Sequence, residues 1–488
     1  MKLSVQFRKW HKWLSLFIGI QAFLWIVSGV YMVTVDLDFI HGDQLVQKMD
    51  EPLSVKPQSL VPISDIQIRY PDARAINLVS WLGNPFYRVY GVDNPKLIDA
   101  TTGDLHAMLN EGDARRVAEY HFAEEGEIVS AILINESDEK PSEISTRALP
   151  LWQISYDDAI ASNFYISPYD GRLVTRRHSF WRAFDFLWML HIMDYETRDD
   201  VNNNLLRIVA IIGTVMSTAG VGLLFYSFRK RKGKAKPKKQ TVNKFMRVTH
   251  KWVGLVLGIQ VFLWMLSGFV LSWYEYDVVE GNNLRNFAHS SESQMQPAAD
   301  TSAIFEATSA TEVLKEVSAR RFRGEDIILV RTDVSIRMFN AATSTHIAID
   351  QTLAEAIAIG DFSGDGDVIS VTPIVAPTME TRESTGPGWR VDFNNDVNSS
   401  LYVSAETGAI WERRNDIWRT FDIYWMLHIM DFENRKDFNN VIVILVSWIS
   451  LWIALSGIIL TINSLQKGEF KSTKKTKRRG QLKNKGSA

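Results

Sequence analysis

The chain of 488 residues contains no cysteine. Disulfide bonds, thiolate ligation of haem iron and iron–sulfur clusters are therefore excluded. The sequence also lacks a P-loop, a glycine-rich dinucleotide fingerprint and a serine–histidine–aspartate signature, so nicotinamide, flavin and triad chemistry have no support. Any redox chemistry would need a cofactor held by other side chains. Its electrons would come from a partner such as a cytoplasmic reductase, or from a membrane quinol.

Acidic residues are almost missing from three basic segments: the N-terminus, residues 229–251 and the tail after Leu465. Together these segments hold 24 of the 54 Lys and Arg residues and one of the 56 acidic residues. The positive-inside rule predicts that all three face the cytoplasm, where anionic lipid head groups would attract them. No fold accompanies this charge, so we expect no nucleic-acid partner. The remainder carries 30 basic and 55 acidic residues, a formal charge of −25, which places two acidic segments outside the membrane.

Four stretches are almost free of charge, and each has the length of about 20 residues that a helix needs to cross a bilayer. They are residues 14–35, 205–228, 253–274 and 441–462. The first is too long for a signal peptide and no A-x-A-like cleavage site follows it, so we expect a retained anchor. The predicted fold is a membrane α-helical bundle of four spanning helices, internally duplicated, with two periplasmic α+β domains.

The predicted organisation places the large acidic domains between pairs of spanning helices. In chain order it comprises a first spanning helix (1–35), a first outer domain (36–178), an interfacial histidine helix with the second spanning helix (179–228), a basic loop (229–251), a third spanning helix (252–274), a second outer domain (275–415), an interfacial histidine helix with the fourth spanning helix (416–464) and a basic tail (465–488). Both termini are expected in the cytoplasm.

Two long motifs occur twice in the chain. Residues 181–196 read WRAFDFLWMLHIMDYE and residues 418–433 read WRTFDIYWMLHIMDFE; residues 8–29 read RKWHKWLSLFIGIQAFLWIVSG and residues 247–268 read RVTHKWVGLVLGIQVFLWMLSG. Each half therefore carries two histidines beside apolar helices, and each histidine has a twin in the other half. The twin pairs are His11 with His250 and His191 with His428.

A single histidine at a membrane interface is usually an anchor, but four in two repeated contexts favour a symmetric set of metal or haem ligands. His11 and His250 are expected just before their helices, near the cytoplasmic face, and the other two near the outer face. About 20 residues at 1.5 Å per residue separate the faces by roughly 30 Å, too far for His11 and His191 to share one iron. Pairing within one half stays an alternative if the helix around His191 dips into the membrane. We therefore predict two haem b groups, each ligated at its iron by one twin pair.

Arg182 and Arg419 repeat in the helices that carry the outer histidines. Their guanidinium groups are predicted to bind haem propionates, and an i,i+3 pair with Asp185 or Asp422 is the equally open alternative. The tryptophans Trp10, Trp13, Trp25, Trp252, Trp264 and Trp273 are predicted mostly to mark the membrane interfaces. The histidines without a twin are predicted to be solvent-exposed; they are His41, His106, His121, His178, His289 and His346.

The acidic segments show alternating apolar and polar residues that lead into glycine turns, a pattern typical of β-hairpins. Such hairpins are predicted around Gly103, Gly171 and Gly408, with helices at residues 113–124 and 353–358. This pattern predicts α+β domains. Trp152 and Trp389 begin corresponding strands, which extends the duplication to the outer segments.

These hairpins, set between helices bearing R-x-x-H-K-W and W-x-x-L-H-x-M-D, resemble the PepSY-associated transmembrane family over roughly residues 5–465. Its members are known as iron-regulated membrane proteins, and some are siderophore-iron reductases of the bacterial inner membrane. The resemblance implies a haem-carrying reductase whose periplasmic partner is a ferric siderophore or another ferric chelate. Two alternatives stay open: a non-redox PepSY module that regulates peptides or proteases at the membrane, and a quinone-linked electron carrier.

Overall fold

The computed structural model describes residues 3–47, 52–53, 59–227, 242–287, 295, 304 and 312–470. The chain divides into two compact units. The membrane-helix unit comprises Met1–Asp36, Phe184–Glu275 and Thr420–Ala488, and the sheet unit comprises Leu37–Ala183 and Tyr276–Arg419. Residues 229–241 of the predicted basic loop, residues 471–488 of the predicted tail and His289 lie outside the described residues.

The helices in chain order are α1 (Leu3–Thr34), α2 (Leu37–His41), α3 (Ile63–Arg69), α4 (Glu111–His121), α5 (Ser179–Ile192), α6 (Asn204–Ser227), α7 (Val242–Trp273), α8 (Tyr276–Val279), α9 (Gln351–Asp361), α10 (Asp416–Ile429) and α11 (Val441–Gln466). The strands are β1 (Ala75–Trp81), β2 (Asn84–Tyr90), β3 (Lys96–Asp99), β4 (Ile128–Ile134), β5 (Leu151–Tyr156), β6 (Asn163–Ile166), β7 (Leu173–Arg177), β8 (Leu314–Phe322), β9 (Glu325–Thr332), β10 (Ile336–Asn340), β11 (His346–Ile347), β12 (Val368–Ala376), β13 (Gly386–Phe393), β14 (Ser400–Ser404) and β15 (Ile410–Arg414).

Four helices, α1, α6, α7 and α11, are long and apolar enough to cross a membrane. Helix α1 packs against α6 and α11, and α7 packs against the same two helices, so the four form a closed ring. These helices correspond to the four apolar stretches of the sequence, so the prediction of four long apolar helices is confirmed.

Two of these helices begin well before their apolar stretches. Helix α1 begins at Leu3 and α7 at Val242. The segment before each apolar stretch contains Lys and Arg, which are good helix formers, and no Gly or Pro that would interrupt the helix. His11 and His250 consequently lie within their helices, and the prediction that they precede them is wrong. The third spanning helix likewise begins ten residues before the predicted boundary at residue 252.

The sheet unit contains three antiparallel sheets. One four-stranded sheet runs β4-β5-β6-β7 and another runs β12-β13-β14-β15, in sequence order. Helices α4 and α9 pack on these sheets. Both helices begin with a side-chain cap: Asn110 accepts from the Asp113 backbone N–H at 3.0 Å, and Asp350 accepts from that of Leu353 at 2.8 Å. The predicted hairpins around Gly171 and Gly408 and both predicted helices are confirmed. At Gly103 the chain turns, but only a single bridge between Ile98 and Leu105 follows instead of a second strand.

The third sheet joins the two segments that the sequence presents as separate outer domains. Its seven strands run β11-β10-β9-β8-β1-β2-β3, and β1 pairs with β8 in antiparallel register from Ala75 opposite Arg320 to Leu78 opposite Val317. Ile76, Leu78 and Val317 lie fully buried in one shared core. Pairing β1 with β8 satisfies backbone groups that would otherwise be exposed at two sheet edges.

The expectation of solvent exposure is wrong for His178. Its side chain is fully buried, and its Nε2 lies 2.9 Å from the carbonyl oxygen of Phe39. Asn415 makes the equivalent contact in the second segment, where its Nδ2 donates to the carbonyl oxygen of Val278 at 2.8 Å. His178 is thus a packing residue at the start of α5, and burial lowers its pKa. His346 is exposed as expected.

Candidate paired-histidine sites

The structure brings each predicted twin pair of histidines together. The ring centres of His11 and His250 are 6.4 Å apart, and those of His191 and His428 are 6.3 Å apart. Metal–imidazole bonds are about 2.0 Å long and a ring nitrogen lies roughly 1.1 Å from the ring centre, so two imidazoles on opposite sides of one metal have centres about 6.2 Å apart. Both pairs therefore have the spacing of axial ligands to a single metal ion.

The protonation of the outer pair follows from a serine beside each ring. Ser28 Oγ lies 2.8 Å from the Leu24 carbonyl oxygen and 2.8 Å from His191 Nδ1. Ser267 Oγ lies 2.6 Å from the Leu263 carbonyl oxygen and 2.9 Å from His428 Nδ1. A carbonyl oxygen can only accept, so all three groups are satisfied when the hydroxyl donates to the carbonyl and accepts from Nδ1–H. This arrangement places the ring proton on Nδ1 and leaves Nε2 unprotonated.

The inner pair has the same tautomer for a simpler reason. His11 Nδ1 lies 3.0 Å from the Met216 carbonyl oxygen and His250 Nδ1 lies 3.1 Å from that of Ile453, and a carbonyl oxygen can only accept. His250 Nδ1 also lies 2.9 Å from the Ser456 hydroxyl oxygen. Within the described residues Nε2 of none of the four histidines forms a hydrogen bond. An imidazole anchored through Nδ1–H with a free Nε2 is the usual arrangement of a metal-ligating histidine.

A glycine of a neighbouring helix faces each of the four rings. A Cβ built on these glycines would lie 3.0 Å (Gly220) from Cε1 of His11, 3.3 Å (Gly457) from that of His250, 3.6 Å (Gly268) from that of His428 and 4.0 Å (Gly29) from that of His191. At Gly220 and Gly457 a side chain would press on the ring. The absence of a side chain at these two positions lets the imidazoles lie directly against the helix backbone.

A polar stripe on α1 holds the end of α5 that carries His191. Gln21 Nε2 donates to the Leu190 carbonyl oxygen at 3.0 Å, and Trp25 Nε1 donates to that of His191 at 2.7 Å. Ser28 completes the stripe, since positions 21, 25 and 28 share one helix face. On α7 the same contacts are made by Gln260 (3.2 Å), Trp264 (2.8 Å) and Ser267 (2.9 Å). Trp25 and Trp264 are thus positioning residues rather than simple interface markers.

The aspartate of the L-H-x-M-D motif fixes the chain directly after each outer histidine. Met193, with φ +56°, ends α5, and the Asp194 carboxylate then accepts from the backbone N–H groups of residues 196, 197, 199 and 200. Burial raises the pKa of Asp194, but these bonds and the Thr197 hydroxyl outweigh it and hold the pKa well below its usual range. Asp431 makes the matching contacts after α10. The sequence predicts a polar turn here but not its dependence on one carboxylate.

Arg182 and Arg419 each pair with a glutamate of the sheet unit. Arg182 Nε donates to Glu143 at 2.6 Å, and Arg419 Nε donates to Glu380 at 3.0 Å. Burial raises the pKa of Glu143, but the bond from Arg182 and those from Tyr165 and Asn163 lower it overall. The open i,i+3 alternative with Asp185 does not form, because Asp185 pairs with Arg198 instead. A haem propionate would have to share each arginine with this carboxylate.

The two histidine pairs lie at different levels of the helix ring. Positions 11 and 28 of α1 are about 25 Å apart at a rise of 1.5 Å per residue, and Ser28 marks the level of His191. Positions 250 and 267 of α7 repeat this spacing. No group of three or more His, Cys, Asp or Glu side chains is placed to hold a metal ion in the described part of the chain. Two facing imidazoles at each level suit a metal that brings its own equatorial ligands, as haem iron does.

Four candidate spanning helices and two levels of facing histidines define a membrane protein with paired-imidazole sites. A family model described as the PepSY-associated TM region matches residues 8–359, well over half of the chain. The chain therefore belongs to the PepSY-associated transmembrane family. No curated protein matches it.

Proposed function

We propose that this protein is a di-haem reductase of the bacterial inner membrane that delivers electrons to ferric chelates in the periplasm and releases ferrous iron. The observation that supports this most strongly is the pairing of four histidine rings as two close couples, each ring held through Nδ1. The ring-centre distances of 6.4 and 6.3 Å match the spacing of two axial imidazoles. A non-redox regulatory module would have no use for such couples.

The chain's own residues hold and orient the cofactor. Ser28 and Ser267 fix the outer rings, and the Met216 and Ile453 carbonyl oxygens fix the inner ones, each through Nδ1–H. The four histidines would hold the haem iron, and the haem would supply one-electron exchange. Because the hydrogen bonds set the tautomer before the cofactor arrives, little rearrangement is needed on binding.

The proposed orientation follows from charge. The basic N-terminus, loop and tail lie in the cytoplasm by the positive-inside rule, and the acidic sheet unit lies in the periplasm. The level of His11 and His250 is then the inner one, which a quinol or a cytoplasmic reductase would serve. The level of His191 and His428 is the outer one. On this view the repeated motifs descend from an internal duplication that supplies one ligand of each pair.

The proposed reaction needs a single electron. A ferric chelate accepts one electron to become a ferrous chelate, and ferrous iron binds hard oxygen ligands less tightly and dissociates. No bond to the protein forms or breaks, so the reaction needs no nucleophile or general acid. This agrees with a chain that lacks the signatures of hydrolytic catalysis.

A reduced-minus-oxidised visible spectrum of the purified protein, with haem quantified as the pyridine complex, tests the proposal. We expect two b-type haems per chain. His191→Ala or His428→Ala should remove one, and His11→Ala or His250→Ala should remove the other. The exposed His346→Ala is the matched control and should keep both. Full haem content in all four ligand variants would contradict the assignment.

Electron transfer from the haems to a ferric chelate is tested by mixing reduced protein with ferric chelates in the presence of a chromogenic reagent that binds ferrous iron. We expect reoxidation of the haems and one ferrous ion per electron. Loss of the outer ligands should stop ferrous release while the inner haem stays reducible. Reoxidation by a quinone but by no ferric chelate would instead identify a quinone-linked electron carrier.

A further inference from the structure

The first segment of the sheet unit contains a cavity of about 510 Å³. Its wall is formed by the β1–β2 hairpin, β7, the end of α4 and the chain after α2. The charged side chains that line it are Arg88, Arg172, Arg176 and Asp43. Three guanidinium groups lie against two carboxylates, Asp43 in the wall and the buried Asp170 beside Arg172, which leaves the cavity a net positive charge. The part of the chain outside the basic segments, by contrast, carries a formal −25. Such a local reversal of charge concentrates anions.

Two of the arginines keep most of their donors for a ligand. Arg88 donates only Nε, to the Asp170 carbonyl oxygen at 3.3 Å, and its two terminal nitrogens form no hydrogen bond within the described residues. The Arg172 side chain is 56% exposed, and its Nε lies 3.8 Å from the Asp170 carboxylate. Arg176 is bound to Asp43 and to the Gly42 carbonyl oxygen. Arg88 and Arg172 therefore offer free guanidinium edges that suit a bidentate carboxylate.

The second segment has the same hairpins but lacks two of these three arginines. Gly83 and Gly324 occupy equivalent hairpin turns, with φ +78° and +85°, and this alignment places Leu329 at the position of Arg88. Gly171 and Gly408 are likewise equivalent, since their Cβ positions meet Trp81 and Phe322 respectively. Counting onward from these two glycines gives the remaining equivalents, which are Ala409 for Arg172 and Arg413 for Arg176.

The one arginine retained in the second segment is fully engaged. Arg413 forms two hydrogen bonds with the Asp361 carboxylate, at 2.5 and 2.6 Å. Free guanidinium groups at the positions of Arg88 and Arg172 are thus not required by the fold. Their presence in the first segment points to a ligand.

We propose that this cavity binds an anionic, carboxylate-bearing chelate of a trivalent metal, of the citrate type. A volume of about 510 Å³ lies within the usual range for small-molecule sites. Carboxylates left free at the edge of such a chelate would pair with Arg88 and Arg172, whereas a neutral trihydroxamate chelate offers them no charge. The identification of the ligand as a metal chelate rests on the proposed function; the binding of a carboxylate anion by Arg88 and Arg172 does not.

Gallium(III) citrate is the probe, because gallium(III) has the charge and ligand preference of ferric iron but is not reduced. Its affinity for the full-length protein in detergent is measured by titration calorimetry. We expect Arg88→Gln combined with Arg172→Gln to weaken binding at least about tenfold, since each variant removes a charged hydrogen bond. Arg116→Gln, which removes an exposed arginine of α4 outside the cavity, should leave the affinity unchanged.

Equal affinity of the double variant and the wild type would overturn the site. Equal affinity for metal-free citrate would overturn the chelate, and equal affinity for a neutral gallium trihydroxamate would overturn the selection by charge. Because gallium binding requires no electron, it is separate from reduction. Tight gallium citrate binding by a protein whose reduced haems ignore ferric citrate would support the cavity and refute the reductase. Ferric reduction without gallium citrate binding would do the reverse.

Discussion

Replacement of Ser28 or Ser267 by alanine tests the argument about histidine tautomers most directly. Each serine accepts a hydrogen bond from Nδ1 of an outer histidine, at 2.8 and 2.9 Å, and passes its own proton to the preceding turn. Both serines are fully buried. Alanine therefore removes the closer acceptor of Nδ1–H in a place that water does not reach, and leaves the backbone of Trp25 or Trp264 as the remaining partner of the ring.

The size of the effect follows from the loss of one such contact. Removing the hydrogen-bond partner of a ligating histidine typically costs 10- to 100-fold in metal affinity, or about 1.4 to 2.8 kcal/mol. We expect each single variant to lose its outer haem faster by that factor. The inner haem should be unaffected, because His11 and His250 are held by other helices.

The assay is the rate of haem transfer from the purified variant to an excess of apomyoglobin. Ser450→Ala is the matched control: Ser450 is also a fully buried serine of a spanning helix, but its hydroxyl has no hydrogen-bond partner among the residues that the structure describes. Its removal should leave both haems in place. Equal rates of haem loss from Ser28→Ala, Ser267→Ala and Ser450→Ala would refute the reasoning.

Three further predictions follow from the contacts around the sites. Gly220→Ala places a Cβ 3.0 Å from the His11 ring and should weaken the inner haem, whereas Gly19→Ala, with nothing within 4 Å, should keep both haems and gain about 0.5–1 kcal/mol of stability in a thermal melt. Asp194→Asn combined with Asp431→Asn should lower the free energy of unfolding by about 1–3 kcal/mol at neutral pH. Because the folded-state pKa of both carboxyls is depressed, their contribution is complete above the ordinary value of about 3.9 and is lost progressively as pH falls from there through the lower folded-state pKa. The wild-type melting temperature should therefore fall more steeply with acid than that of the double variant, and parallel curves would contradict this. Glu143→Gln and Arg182→Gln should each destabilise the sheet unit by about 1.5–3 kcal/mol in denaturant titrations. A greater loss of haem from Arg182→Gln than from Glu143→Gln would support the propionate contact, and equal haem retention would count against it.

The pairing of histidines could be predicted because sequence repetition identifies equivalent positions. His191 and His428 lie in almost identical motifs. When two similar halves pack around a pseudo-twofold axis, equivalent residues close to that axis lie close to each other. The four spanning helices and the hairpins around Gly171 and Gly408 could also be predicted from the sequence. The helices depend on local hydrophobic pattern, and the hairpins depend on strand alternation and turn residues.

Other features could not be predicted because they depend on tertiary contacts. The acceptors of the inner histidines are the backbone carbonyl oxygens of Met216 and Ile453. Every residue has a backbone carbonyl, so the amino-acid sequence does not show which one will accept. The pairing of β1 with β8 joins residues far apart in the chain, with no turn to set the register. Arg182 finds Glu143 rather than Asp185 for the same reason: proximity in the folded protein overrides proximity in sequence.

Each histidine pair has one member from each half of the chain. The two halves also cap the C-terminal ends of each other's helices. Asn202 donates to the carbonyl oxygens of Ser272 and Tyr274 at the end of α7, while Asn439 donates to those at the end of α1. A polypeptide of half this length could form the two histidine pairs only as a dimer of identical copies. Every substitution in it would then occur in both subunits. One continuous chain removes that restriction. An arginine cavity in the first segment, with leucine and alanine at the equivalent positions of the second, is a specialisation that identical subunits could not acquire.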